Sequence, residues 1–141
     1  MAQGELLTLE VATPVGLALQ TECESVAAPS VQGEFGVYPG HVPLLAALRS
    51  GVITYHVGGK DLAAAVGPGF VEAGPDKVLL LTDAFALPDD VDVDDVKAEL
   101  EDAEGRLAAV DSSSASAEHD EIEREIQWAQ ARLELVEHAH D

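Results

Sequence analysis

Pro88 divides the chain into two kinds of hydrophobic period, and no single layer of structure accommodates both. Before it, apolar residues alternate in short bursts. In "LLTLEV", Leu7, Leu9 and Val11 fall on one side and Leu6, Thr8 and Glu10 on the other, the pattern of a half-buried strand. "GLALQTE" repeats it with Leu17 and Leu19. "GVITYHV" and "KDLAAAV" flank Gly58-Gly59, a two-residue hairpin signal, and Gly74-Pro75-Asp76 parts "GFVEAG" from "KVLLLTDAFAL". Turn signals recur every 8–12 residues or so, with no helical segment between them. This predicts an antiparallel β-sandwich or flattened barrel of eight to ten strands over residues 1–88, with Val78–Leu81 in a central strand.

After Pro88 the step changes. Val96, Leu100, Ala103, Leu107 and Val110 advance by four and three, as do Ile122, Ile126, Ala129, Leu133 and Val136. Between the two stripes lies "DSSSASAEHD", which breaks and caps helices. The prediction for residues 89–141 is an antiparallel two-helix hairpin, with those stripes as its seam. Asp89, Asp90 and Asp92 suit the positive end of the first helix dipole. Asp95–Glu99 and Glu121–Glu125 are like-charge pairs four residues apart, which Asp102–Arg106 and Asp120–Arg124 offset. The hairpin is thus expected to rest on its narrow, Ala-containing seam.

Charge restricts the partners. The net charge is −20, with nine acids against three bases up to Pro88 and eighteen against four beyond it. Such a chain lacks the clustered Lys and Arg that bind nucleic acid, and anionic lipid repels it. No window approaches the ~18 apolar residues of a membrane span, and the N-terminus has no signal-peptide pattern. The lone cysteine, Cys23, has no internal disulfide partner and reads as a small buried hydrophobe. A protein surface is the expected partner.

The stretch "GEFGVYPGHVPLLAAL" (33–48) surrounds Glu34 and His41 with glycines and prolines. Either the loop is an active site or it presents a shaped surface. Glu34 and His41 could serve as base and orienter, but no nucleophile completes the set, and Gly40 is followed by His41 and Val42 where a phosphate loop needs Lys and Ser/Thr. "DDVDVDD" lacks the glycine and terminal Glu of a calcium loop. His138 and His140 suit a frayed helix end, His56 an alternating strand, and His119 the inter-helix loop; Trp128 is expected to pack within the hairpin with Leu135. No metal site and no catalytic group is expected. Pro39 and Pro43 fix φ while Gly36 and Gly40 allow turns, so a preorganised surface is the better reading. Leu44, Leu45 and Leu48 read as its anchors in the core.

Three stretches together carry a resemblance. "GEFGVYPGHVPLL" followed by Gly51-Val52, "GGKDLAAAVGPGFVEAGPDKVLLLTDAF", and a helical hairpin with a serine-rich bend are similar to the epsilon subunit of the bacterial rotary ATP synthase, over about Leu6 to Glu137. The resemblance implies a non-catalytic central-stalk subunit on the cytoplasmic face of the bacterial inner membrane, without lipid insertion. Its partners would be the gamma subunit and the c-ring, with alpha and beta reached through the hairpin. Glu34, Tyr38, Pro39, Gly40, His41, Val42 and Pro43 would form the rotor contact, Glu34 toward the c-ring and His41 to Pro43 near gamma. The hairpin would switch between a folded, permissive state and an extended one that blocks ATP hydrolysis. Two departures modify this. Asp95 stands in "VDVDDVKA" where ATP-binding members carry arginine, so no ATP is expected to bind tightly, and the acidity of 89–141 weakens contact with an acidic beta-subunit segment. The alternative is a free-standing acidic β-sandwich adaptor whose hairpin docks a protein client.

Overall fold

The computed structural model describes residues 5–110 and 116–139. Ten strands come first: β1 Leu7–Thr13, β2 Gly16–Cys23, β3 Ser25–Ser30, β4 Gly33–Val37, β5 Leu44–Leu48, β6 Gly51–Val57, β7 Lys60–Val66, β8 Gly69–Ala73, β9 Lys77–Thr82 and β10 Phe85–Ala86. A 3-10 turn at Pro88–Asp90 leads into α1 (Val93–Ala109) and then α2 (Ser116–Ala139). The strands form one continuous sheet in the order β10-β7-β6-β3-β5-β8-β9-β1-β2, with β4 paired to β3. Folded on itself, it turns one face of every long strand inward.

Alternation decides that face. Leu7, Leu9 and Val11 of β1, Ile53 and Tyr55 of β6, Val71 of β8, and Val78 and Leu80 of β9 meet in one buried core. With only 4% aromatic residues, Val, Leu and Ala fill it. Cys23 is buried there, and burial pushes its thiol up to about 11, which leaves it an inert hydrophobe. The β6–β7 hairpin turns at Gly58 and Gly59, φ +55° and +82°, the two left-handed residues that a right-twisted two-residue turn needs.

Of three strand expectations, one holds and two are corrected. The sheet is mixed, because β1 runs parallel to β9, Leu9 opposite Val78. Val78–Leu81 lies in the central strand β9 as expected, with Leu81 half in solvent on its outer face. Gly33–Val37, read as part of a loop, is a strand, with Glu34 opposite Pro29.

Pro88 ends the strands as expected, and Asp92 caps α1 by accepting from the Asp95 amide at 3.1 Å. Of the seam residues, Val96, Ala103, Ile122 and Ala129 are buried and Leu100, Leu107, Ile126 and Leu133 partly so. The serine-rich connection lies mostly at 111–115, outside the described residues, but its last part, Ser116–Asp120, is helical, so His119 stands in the first turn of α2. Leu135 is fully buried, and with Ala131 it packs on Val52 and Ala65 of the sheet and on Ala86. The hairpin is therefore docked through α2 on the outer face of β6 and β7. Trp128 belongs to that contact as well as to the hairpin.

Candidate functional site

All connections of the sandwich gather at two ends. One holds the β1–β2, β3–β4, β5–β6, β7–β8 and β9–β10 turns; the other holds the β2–β3, β6–β7 and β8–β9 turns and the loop Tyr38–Pro43. β4 separates the two halves of the "GEFGVYPGHVPLL" stretch. Glu34 is exposed beside the Val31-Gln32 turn, roughly 13 Å along the strand from Tyr38 at ~3.3 Å per residue. Glu34 and His41 are thus not brought together, and the acid–base pairing has no geometry to support it.

The loop itself is a built turn. The His41 amide donates to the Tyr38 carbonyl at 3.1 Å, with Pro39 then Gly40 at the corner and Gly40 at φ +88°. The Gly40 amide donates to the Pro75 carbonyl at 2.7 Å, tying the loop to the β8–β9 turn, and the Thr8 amide ties that turn to β1 through the Asp76 carbonyl at 2.9 Å. His41 Nδ1 bonds the Val42 carbonyl, which fixes the ring against its own backbone. Tyr38 and Val42 stand out, 66% and 72% exposed, with Gly40 and Pro43 also exposed and Pro39 and His41 partly covered.

Beyond the loop, apolar exposure continues across the outer face of β5, β8, β9 and β1. Pairing places Ala47 beside Phe70, Phe70 beside Leu81, and Leu81 beside Ala12, which in turn faces Leu17 of β2. Leu45, Phe70, Leu81 and Leu17 are each more than half exposed. Leu45 was expected to anchor the loop in the core; alternation along β5 turns it outward, whereas Leu48 is buried and Leu44 partly so. A groove of about 420 Å³ joins loop to face, lined by Pro43, Leu45, Glu72, Lys77 and Leu79 among others. Lys77 is held by Glu10 at 3.0 Å. A preformed, partly apolar surface of this kind suits a protein partner. Sequence reading missed this row, although its outward members alternate with the core residues in each strand.

At the loop end, His56 Nδ1 donates to the Asp61 carboxylate at 2.8 Å, and Glu24 lies 3.6 Å from its other ring nitrogen while accepting from the Gly58 amide at 3.1 Å. The hydrogen bond to Asp61 raises the His56 pKa above the ordinary value, and the Glu24 charge adds to it. Protonated His56 therefore stabilises the fold fully below its unfolded pKa of ~6.5, and that contribution is lost as pH rises through the raised folded value. An NMR titration is expected to show the His56 ring titrating above the ordinary range, and Asp61→Asn returning it toward ~6.5.

His119, Asp120 and Glu123 also gather, their ligand atoms within 4.8 Å. They share one exposed helical turn, where His119 and Glu123 make an i,i+4 pair at 3.0 Å. His138 is exposed in the last turn of α2; His140 lies outside the described residues. Among the described residues, no helix is long and apolar enough to cross a membrane.

Residues 6–88 match the family of the ATP synthase delta/epsilon chain β-sandwich domain. The ATP synthase epsilon chain of Anaeromyxobacter sp. (strain K) is 36% identical over 130 residues, covering 92% of this chain and 97% of that one. That of Moorella thermoacetica is 42% identical over 102 residues, 72% of this chain and 76% of its own. In fold, the chain is similar along its whole length to a subunit in the mitochondrial ATP synthase of Euglena gracilis, with a TM-score of 0.76 at 19% identity and 85% of that subunit covered. A second likeness is to the central stalk and c-ring structure of Tetrahymena thermophila mitochondrial ATP synthase, with a TM-score of 0.56 at 9% identity, covering 96% and 99%.

Proposed function

The chain belongs to the ATP synthase delta/epsilon family, as an epsilon chain, and from that premise we propose that it couples the rotor of the enzyme to the catalytic head without performing catalysis. The sandwich docks the gamma subunit and stands on the c-ring at the cytoplasmic face of the bacterial inner membrane, and the hairpin regulates ATP hydrolysis. The observation that carries the docking role is the set of apolar side chains left in solvent, Leu45, Phe70, Leu81 and Leu17, on the part of the sheet that the helices leave uncovered, together with the fixed loop that exposes Tyr38 and Val42. A docking joint built on strands and a hydrogen-bonded turn loses little entropy on binding, and its stiffness transmits torque. In this reading the rotor contact comprises Tyr38, Pro39, Gly40, His41, Val42 and Pro43, with Glu34 at the other end of β4 directed to the c-ring. The hairpin takes no tightly bound ATP, because Asp95 sits exposed in the first turn of α1 where a phosphate needs a cation. Its surplus of acids makes any contact with an acidic beta-subunit segment weak.

Capture by the gamma subunit tests the proposal. The full chain is expected to co-purify with gamma. Phe70→Glu with Leu81→Glu, both on exposed positions, is expected to weaken capture by tenfold or more while leaving the far-UV spectrum unchanged. Capture that is absent in the parent chain, or unaffected by both charges, would overturn the docking role and favour the adaptor reading.

A further inference from the structure

We propose that the closed helical pair is held by two reciprocal arginine clasps, Arg106 of α1 to Glu125 of α2 and Arg132 of α2 to Glu99 of α1, and that these clasps control the release of α1.

The seam beneath them is slight. Its buried members are one valine, one isoleucine and two alanines, Val96, Ala103, Ile122 and Ala129. Above it, eighteen acids and four bases share residues 89–141, and two of those four bases cross between the helices. Arg106 donates Nε to Asp102 at 2.9 Å and forks onto Glu125, Nη2 to Oε1 at 2.7 Å and Nη1 to Oε2 at 3.2 Å. Arg132 reaches Glu99 at 2.9 Å, and its side chain is only 17% exposed. Its guanidinium lies 5.1 Å from the centre of the Trp128 ring and its Nε donates to the Trp128 carbonyl at 3.3 Å. The six side chains line one cleft of about 160 Å³. Arg106 holds the Glu125 carboxyl below its ordinary value, consistent with an ionised partner.

An isolated surface ion pair contributes little. These differ in two respects. Each guanidinium is fixed by more than one bond, so less side-chain entropy is lost per contact. Removing Arg106 also leaves Asp102 and Glu125 near one another across the seam, so attraction becomes repulsion. α2 keeps its own hold on the sheet through Leu135 and Ala131, so the clasps govern α1. Release of α1 has regulatory meaning only if the hairpin regulates, as proposed above, but the clasps themselves are tested in the isolated full chain, where failure of that reading changes nothing.

Amide exchange along residues 93–109 is the readout, with fluorescence of Trp128, the sole tryptophan, as the second. Arg106→Glu is expected to lower α1 protection about tenfold while β1 and β9 keep theirs. Adding Glu125→Arg to it is expected to restore protection to within roughly threefold of the parent. Unchanged protection in Arg106→Glu would overturn the proposal. So would a charge-swapped chain as open as Arg106→Glu, because a simple packing role would not be rescued by reversing the charges.

Discussion

Gly69→Ala is expected to cost the sandwich about 4 kcal/mol or more, a large share of the stability of a domain this size. Gly69 pairs with Thr82 of β9 and Leu48 of β5, and a Cβ built on it stands 1.8 Å from the Leu81 carbonyl oxygen and 2.9 Å from its carbon. Those are backbone atoms of a central strand, so relief requires β9 itself to move. The surrounding bonds oppose that movement. The Thr82 hydroxyl donates toward the Gly67 carbonyl at 2.9 Å, and the Asp83 amide donates to the Pro68 carbonyl at 3.3 Å. A urea titration followed by far-UV circular dichroism measures the loss. Gly74→Ala is the control: its Cβ would meet nothing nearer than the Lys77 carbonyl oxygen at 4.0 Å, and a change within about 1 kcal/mol is expected. Equal effects at the two glycines would show that close strand approach is not what fixes Gly69.

The second large effect concerns docking. Leu135→Ala is expected to remove about 2–5 kcal/mol from the seat of α2, through lost burial and the cavity left behind. Leu135 is the one large aliphatic side chain fully buried there; its neighbours Ala131, Ala65 and Ala86 offer little area to compensate. Since that cost falls on the hairpin contact, α2 is expected to leave the sheet while the sandwich core from Leu7 to Leu80, which contains no hairpin residue, stays folded. Trp128 emission should shift to the red and exchange protection over 116–139 should fall, with the sandwich thermal midpoint moving by only a few degrees. A fall in that midpoint with α2 still attached would show the two parts melting as one unit.

Elements with a local cause were legible in the sequence. Gly58-Gly59 announced its hairpin because only glycine takes two left-handed residues without strain, and the Pro88 break announced the change of layer. Long-range partners were not. Alternation in "LLTLEV" says which side chains of β1 point inward but not that β9 lies beside it in parallel. β4 was hidden because Gly33 and Gly36 suggest a loop, whereas pairing with β3 supplies what their propensity lacks. On α2 the expected seam names Ile122, Ile126, Ala129 and Leu133, and Trp128 with Leu135 is expected in the same hairpin packing, whereas Trp128, Ala131 and Leu135 pack together on the sheet. A helix gripped on two sides needs two stripes, and the steps of three and four from Trp128 to Leu135 are the signal for the second. The glycines and prolines of the motif correspond to a hydrogen-bonded turn at Tyr38–His41, but its acid lies one strand away.

The parallel pairing of the first strand with the ninth also has a kinetic consequence. Leu9 must find Val78, about seventy residues along the chain, and such non-local contacts slow folding through the loop entropy they require. During synthesis β1 waits with β2 as a lone, marginal hairpin until β9 has left the ribosome. The helices, made last, then meet a finished surface on which to settle.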